Sequence, residues 1–484
     1  MAANGGLCRL TATEVVDLLR RREVSPLELV EASAERIAAT DGHLNAVPTL
    51  CIERARAHAE RIMAEDPKAE RPRGWLGGVP IAVKDLVEVE GVRTTWGSPI
   101  YADHVPPRSD IVVETLEARG AIVIGKSNTP EFGAGANTFN EVFGKTRNPW
   151  NTDKTCGGSS GGSSTALATG QVWLATGSDL GGSLRIPASF CSVFGFRPSP
   201  GRVAHGPKHL PFEGLMVDGP MARNARDCAL MLDAMSGAHP EDPLSIEAPA
   251  ESFSEALTTL PPPSRIAYSP DLGLLPVDSQ VAAVCARAVE TLAGAGMGIA
   301  KACPDLSGAL DVFQVLRAAL FAADKGEMLE THRDALKPEI IWNIEKGLAL
   351  DADKIARAER ARGVIYQRCV RFFTRHDVLV CPCVIVPPFD VDTRWVDEIE
   401  GHHFDNYVDW LGLTFVLTLT ACPSASVPVG FTEAGLPVGL QILGPPRGEA
   451  AVLRAAAAIE EAISLAAVTP IDPRGADGNA LPLA

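Results

Sequence analysis

Cys156-Gly157-Gly158-Ser159-Ser160-Gly161-Gly162, followed by Asp179-Leu180-Gly181-Gly182-Ser183-Leu184-Arg185, is the stretch from which the rest of the chain is read. Each half sets a serine among glycines, Ser159 in the first and Ser183 in the second. A serine hydroxyl is a poor nucleophile at its own pKa, so a neighbour must take its proton. Between Lys84 and Arg185 the only histidine is His104. An uncharged lysine can do the work instead, and Lys84 closes the apolar run Val79-Pro80-Ile81-Ala82-Val83. Lysine's ordinary pKa is about 10.4, and full burial lowers it by ~3–5 units. That run, with Leu86-Val87 after Asp85, reads as a buried strand end that supplies such desolvation. Glycine at 181 and 182 lets backbone N–H groups converge on one point, as an oxyanion hole requires.

These residues, in this order, resemble the amidase signature family. Members carry a lysine, a cis-serine and a second serine, and their two serines stand at the same separation as Ser159 and Ser183. The resemblance implies that Lys84, in Gly78-Val79-Pro80-Ile81-Ala82-Val83-Lys84-Asp85, is the base. By the same matching, Ser159 after Gly158 is the cis-serine that shuttles protons, and Ser183 is the nucleophile. Leu180, Gly181, Gly182 and Ser183 match the oxyanion hole, and Asp179 and Arg185 match the positions that brace it. Phe132 and Gly133 are expected at the substrate pocket, and Cys156 and Cys191 are expected to line it as small apolar groups. The similarity continues through Gly125-Lys126-Ser127-Asn128-Thr129-Pro130-Glu131-Phe132-Gly133, Asp218-Gly219-Pro220-Met221-Ala222-Arg223 and Gly435-Leu436-Pro437-Val438-Gly439-Leu440-Gln441. It weakens between about residues 240 and 410.

Two other motifs compete for the same region. Gly120 to Ser127 matches the phosphate-loop pattern G-x4-G-K-[ST], but the intervening Ala121-Ile122-Val123-Ile124 reads as a strand and Pro130 interrupts the helix that should follow. Gly157-Gly158-Ser159-Ser160-Gly161 fits the nucleophile elbow, yet Arg147 to Asp153 before it reads as a loop. A late histidine partner would have to be His402 or His403, which read better as a polar loop pair beside Glu398 and Glu400.

The formal net charge of −16 argues against a phosphate-binding surface, so nucleic acid is a poor partner. The 11 cysteines include no C-x-x-C pair and no metal-ligand spacing, which suggests reduced thiols in a cytoplasm and implies neither metal nor cofactor. No charged-then-apolar leader opens the chain. Residues 410–432 are uncharged, but Pro423 and Pro428 point to a buried helix end, a turn and a strand, so no membrane span is expected.

Capping boxes at Thr11-Ala12-Thr13-Glu14 and Ser25-Pro26-Leu27-Glu28 predict helices over 12–22 and 26–39. Short apolar runs alternate with helical stretches, the pattern of an α/β fold with a mixed, largely parallel central sheet and helices on both faces. We expect one domain over 1–484, a helical cap over about 240–375 and a flexible tail over 473–484. The resemblance implies a hydrolase that cleaves C–N bonds of small to medium apolar amides, with carbamates (urethanes) and esters close behind. A homodimer is left open, and a small molecule is the expected partner. The alternative is the glutaminase subunit of a tRNA-dependent amidotransferase, which shares the catalytic core.

Overall fold

The computed structural model describes residues 4–66, 70–465 and 467–483. Its centre is an eleven-stranded sheet: β1 (Thr49–Leu50), β2 (Pro80–Lys84), β3 (Ile122–Ser127), β4 (Leu174–Asp179), β5 (Phe194–Arg197), β6 (Val217–Ala222), β7 (Ile266–Tyr268), β8 (Ile299–Lys301), β9 (Val378–Pro382), β10 (Ser424–Phe431) and β11 (Pro437–Leu443). The spatial order is β1-β3-β2-β4-β6-β5-β10-β11-β9-β7-β8.

Helices cover both faces, and the alternation of β2 explains why. Ile81 and Val83 enter one hydrophobic cluster with Cys228, Leu232, Val452 and Ile459, whereas Ala82 enters another with Val30, Ile37 and Leu167. Side chains two apart leave a strand on the same side, so a continuously apolar strand buries both faces. Both capping boxes form, with the Glu14 and Glu28 N–H groups each donating to the capping hydroxyl over 3.2 Å. Loss of such a cap typically costs about 1 kcal/mol.

The sheet is mixed, but it is not largely parallel. Parallel pairing holds β3-β2-β4 at one side and β9-β7-β8 at the other, and every pairing between β4 and β9 is antiparallel. The cause is local. β10 and β11 are joined by a tight turn in which Thr432 N–H donates to Leu436 C=O over 2.9 Å and Gly435 takes φ +73°. Such a turn can only join antiparallel neighbours.

The segment 240–375 is mainly helical, as expected, yet it also supplies β7 and β8 to the sheet edge. Strands this short show no period. The helices of this segment include Ala309–Lys325 and Met328–Thr331, separated at Gly326, and Pro338–Leu348. Phe313, Leu316, Ile365, Cys369, Trp410 and Phe415 build a second core between these helices and β9. The tail, expected to fray, makes hydrogen bonds to the body: Arg474 N–H donates to Pro149 C=O over 3.0 Å and its C=O accepts from Thr152 N–H over 2.9 Å. Residues 410–432 form a short helix, Gly412–Thr418, and β10. Among the described residues, no helix is long and apolar enough to cross a membrane.

Candidate active site

Lys84 ends β2 where β4 also ends, so its side chain reaches the loops beyond both strands. Its Nζ donates to Ser159 Oγ over 2.7 Å and to Ser178 Oγ over 3.0 Å, while its N–H donates to Thr176 Oγ1 over 3.0 Å. Every one of these partners is a hydroxyl. The side chain is fully buried, and this burial pushes the ammonium pKa down to about 7, with Asp218 and Asp179 pulling more weakly upward. A lysine so placed exchanges a proton near neutrality.

Ser159 lies in the glycine turn that opens the helix Gly161–Ala168, and the Gly158–Ser159 peptide is cis. The turn is held from outside by Thr138, whose Oγ1 donates to Gly157 C=O over 2.7 Å. A Cβ at Gly158 would come within 3.1 Å of both Ala136 and Thr138. Gly133 presses against the serine itself, since a Cβ there would sit 3.3 Å from Ser159 Oγ. The segment before the turn is a short strand, Asn151–Thr155, where composition predicts a loop. It pairs with Arg147–Asn148 in a hairpin outside the central sheet and makes an isolated antiparallel bridge from Lys154 to Asp390.

Between β4 and the helix Arg185–Cys191 the chain turns sharply around a buried ion pair. Asp179 Oδ1 accepts from Gly182 N–H over 2.9 Å and Oδ2 accepts from Leu184 N–H over 3.2 Å. Arg185 answers with two bonds of 2.9 Å to the same carboxylate, and adds Thr414 C=O, Thr418 Oγ1 and Gln441 Oε1 as acceptors. Burial alone would raise the Asp179 pKa, but the Arg185 guanidinium, helped by Arg197 and Gly182 N–H, holds it well below the usual carboxylate range. Gly182 needs its φ of +122°, and a Cβ there would run into the Thr414 side chain. Thr414 Oγ1 also donates to Gly181 C=O over 2.7 Å, so the loop is fixed from two sides.

The two serine segments are tied together. Ser160 N–H donates to Ser183 C=O over 3.2 Å. Ser159 is buried, whereas Leu180, Gly181 and Ser183 are half-buried and reach solvent. The arrangement therefore offers one open hydroxyl, one enclosed hydroxyl on a lysine of lowered pKa, and a rigid glycine backbone beside them.

Not every expected residue joins them. Cys156 and Cys191 are fully buried behind the serines in the cluster with Ala166, Leu167 and Ala188, so they pack the core and do not face a substrate. Their thiols are engaged there: Cys191 Sγ accepts from Ser164 Oγ over 3.3 Å, and burial pushes its pKa up to about 12. Phe132 is half-buried, packed beside Ala134 and Phe321, with Tyr101 edge-on to its ring. Lys126 of the phosphate-loop match is a strand residue in an ion pair with Asp85. His402 and His403 lie exposed on a short surface ladder.

Reasoning from sequence misses Ser178, Thr414 and Gln441. Ser178 could be found as the residue before Asp179 at a strand end, and Gln441 as the last residue of a matching segment; nothing local marks Thr414.

A family model described as Amidase matches residues 28–453. An acylamidase of Rhodococcus erythropolis is 34% identical over 466 residues, covering 96% of this chain and 97% of that protein. The A-type subunit of the glutamyl-tRNA(Gln) amidotransferase of Moorella thermoacetica is also 34% identical, over 93% of this chain and 96% of its own. A solved bacterial aryl acylamidase of the amidase signature family superposes with TM-score 0.86 at 28% identity, covering 96% of this chain and 99% of that one. With a family match across most of its length and a fold shared end to end, this chain belongs to the amidase signature family and is an amide hydrolase.

Proposed function

We propose that Ser183 is the nucleophile, Ser159 the proton shuttle and Lys84 the base of an enzyme that cleaves small to medium apolar amides through an acyl-enzyme. The observation that carries this reading is the 2.7 Å bond from Lys84 Nζ to the enclosed Ser159, beside a Ser183 that solvent reaches. Substrate arrives from solvent, so the open hydroxyl attacks and the enclosed one relays.

In that mechanism Ser183 passes its proton to Ser159, whose own proton moves to neutral Lys84, while the Ser183 oxygen bonds to the carbonyl carbon. Negative charge gathers on the carbonyl oxygen. Gly182 N–H is already taken by Asp179, which leaves the N–H groups of Leu180, Gly181 and Ser183 as donors to it. Losing one such donor typically costs ~3–4 kcal/mol of barrier. The C–N bond then breaks as the proton returns from Lys84 through Ser159 to the departing nitrogen. Water releases the acyl group by the same relay.

The preference for an apolar substrate is supported by the wall behind the loop. Phe313 and Phe415 stack with centroids 4.2 Å apart, and a Cβ on Gly181 would meet Phe313 at 3.3 Å and Phe415 at 3.5 Å. The half-buried Leu180, packed against the same cluster, extends it. Aryl carbamates and esters present the same carbonyl and are further substrates.

The Moorella relative keeps the glutaminase reading in play. Glutamine brings an α-amino and an α-carboxylate group that require charged partners. Arg185 is spent on Asp179 and its neighbours, and Arg147 donates to Thr152 C=O over 2.7 Å. We place the enzyme in a reducing cytoplasm, where its 11 cysteines stay free. It works without any second protein other than a copy of itself.

The purified single chain, given glutamine, benzamide, an acyl anilide, an aryl carbamate and a nitrophenyl ester, tests the choice. The anilide or carbamate should turn over faster than glutamine. Glutamine turnover above that of every apolar amide would reverse the ranking.

A further inference from the structure

A carboxylate stands two strands from Lys84, across β4. Asp218 on β6 is the register partner of Ser178 on β4, and residues directly opposite in an antiparallel pair project to the same face. Ser178 is also the second hydroxyl that receives a bond from Lys84 Nζ, at 3.0 Å. Asp218 is only 2% exposed. Its Oδ2 contacts His205 Nδ1, while its Oδ1 is buried with no hydrogen-bond partner among the described residues. Buried carboxylate oxygens are normally satisfied, so an idle one calls for a functional account.

The surroundings are charged from several elements. His205 and Lys208 approach Asp218 from the segment after β5, Lys84 from β2, and Asp110 from the start of the helix Ile111–Ala118. Lys84 itself faces Asp218 and Asp179, and Asp179 is already neutralised by Arg185 and Arg197. Asp218 is therefore the less committed of the two negative charges. His205, whose side chain is 15% exposed, links it to solvent.

We propose that Asp218, held by His205, is a positioning residue that stabilises the charged form of Lys84 during turnover. The inference rests on Lys84 being the base. When Lys84 takes the Ser183 proton through Ser159, an ammonium appears in a pocket whose contacts are hydroxyls only. Asp218 supplies the opposing charge across Ser178. The proton then leaves through Ser159 to the departing amine as the C–N bond breaks, and Lys84 is neutral again. Burial pushes the Asp218 pKa up to about 6, with Lys208 and Lys84 acting against it, so the carboxylate is charged at neutral pH and loses its charge in acid.

Asp218→Asn keeps the size and removes the charge. The acid limb of kcat/KM on an acyl anilide should move to lower pH by about one unit, because a lysine that no longer faces an anion gives up its proton more easily. At the same time kcat on the plateau should fall by about tenfold or more with KM little changed, since one lost charge interaction of that size is about 1.4 kcal/mol. Asp218→Glu should restore part of kcat, and Asp218→Ala, which predicts the same direction, serves if the asparagine variant does not fold. A limb at the wild-type pH in the folded uncharged variants, with Lys84→Met inactive, would overturn the inference and leave the base assignment standing. A raised KM with kcat and limb unchanged would overturn it as well. An unchanged limb and rate in Lys84→Met would instead remove the base assignment on which the inference rests.

Discussion

Lys84 and Lys126 stand on neighbouring strands one rung apart, with Val83 paired to Lys126 and Lys84 to Ser127. Both are fully buried, and burial lowers both pKa values. What differs is the company each keeps. Lys126 Nζ lies 3.0 Å from Asp85 Oδ1 and 2.7 Å from Thr94 Oγ1, and Asp85 Oδ2 accepts in turn from Thr95 N–H and Oγ1. Lys84 has Ser159 and Ser178. Contact with a carboxylate works against the loss of charge at Lys126, whereas hydroxyls accept from an ammonium and donate to an amine with equal ease. Burial disfavours the charge of both lysines; a contacting carboxylate separates Lys126 from Lys84, for which we propose the role of base.

The largest effects should fall on the Lys84 side and appear in turnover. Ser183→Ala is expected to lower kcat on an anilide by about 10⁴-fold or more, by analogy with removal of other serine nucleophiles, while the thermal midpoint stays near that of the wild type. Lys84→Met should lose about 10³-fold or more, since it ends proton transfer without leaving a charge behind. Steady-state rates with a coloured leaving group, read beside thermal scans, decide both. A Ser183→Ala chain with near-wild-type turnover would break the assignment at its root.

On the Lys126 side the same substitution should act on folding. Lys126→Met leaves Asp85 buried and unpaired, and stranding one member of a buried pair typically costs about 3–5 kcal/mol. Denaturant midpoints of the two Met variants should therefore separate widely, with Lys126→Met low and Lys84→Met high. Folded Lys126→Met should keep a kcat within about threefold of wild type, because its lysine meets neither serine. Equal stability of the two variants would erase the distinction.

Much of this site could be read from the chain alone because its parts are local. A lysine after an apolar run, and two serines each set among glycines, are visible without any fold, and the structure brings Lys84 onto Ser159. Asp179 and Arg185 stand at either end of one turn, so their pairing is equally local. The register of the sheet is not. Asp218 faces Ser178 because β6 runs back along β4 only after a helix and β5 have intervened, and no short window contains that fact. Cys156 and Cys191 lie near the serines in sequence, but sequence distance says nothing about which side of the helix Gly161–Ala168 they occupy. Apolar runs marked most long strands, while β7 and β8 are too short to have a period, and only the β10–β11 pairing direction followed from a local turn, at Gly435.

The finest test of the two lysines is the pH at which activity begins. If neutral Lys84 is the base, kcat/KM is low while it carries its proton and rises as that proton is lost. Its pKa of about 7 places this limb across the neutral range, with activity growing from mildly acidic toward mildly alkaline solution. In the folded state this group is depressed from an ordinary lysine value, so the unfolded chain binds the extra proton above pH 7. By linkage, stability owed to this residue rises with pH between about 7 and the ordinary value near 10.4. The two trends share a sign, and Lys84→Met should abolish both. Lys126→Met should leave the activity limb within about 0.3 of a pH unit of wild type, because the charges that pull on Lys84 are Asp218 and Asp179, not Lys126 or Asp85. Measuring kcat/KM from about pH 5.5 to 9 for the wild type and Lys126→Met at constant ionic strength, with thermal midpoints over the same range, reads both trends at once. A limb that moves as far in Lys126→Met as in Asp218→Asn would mean that the two buried lysines titrate as one coupled unit, and the division between a base and a structural cation would fail.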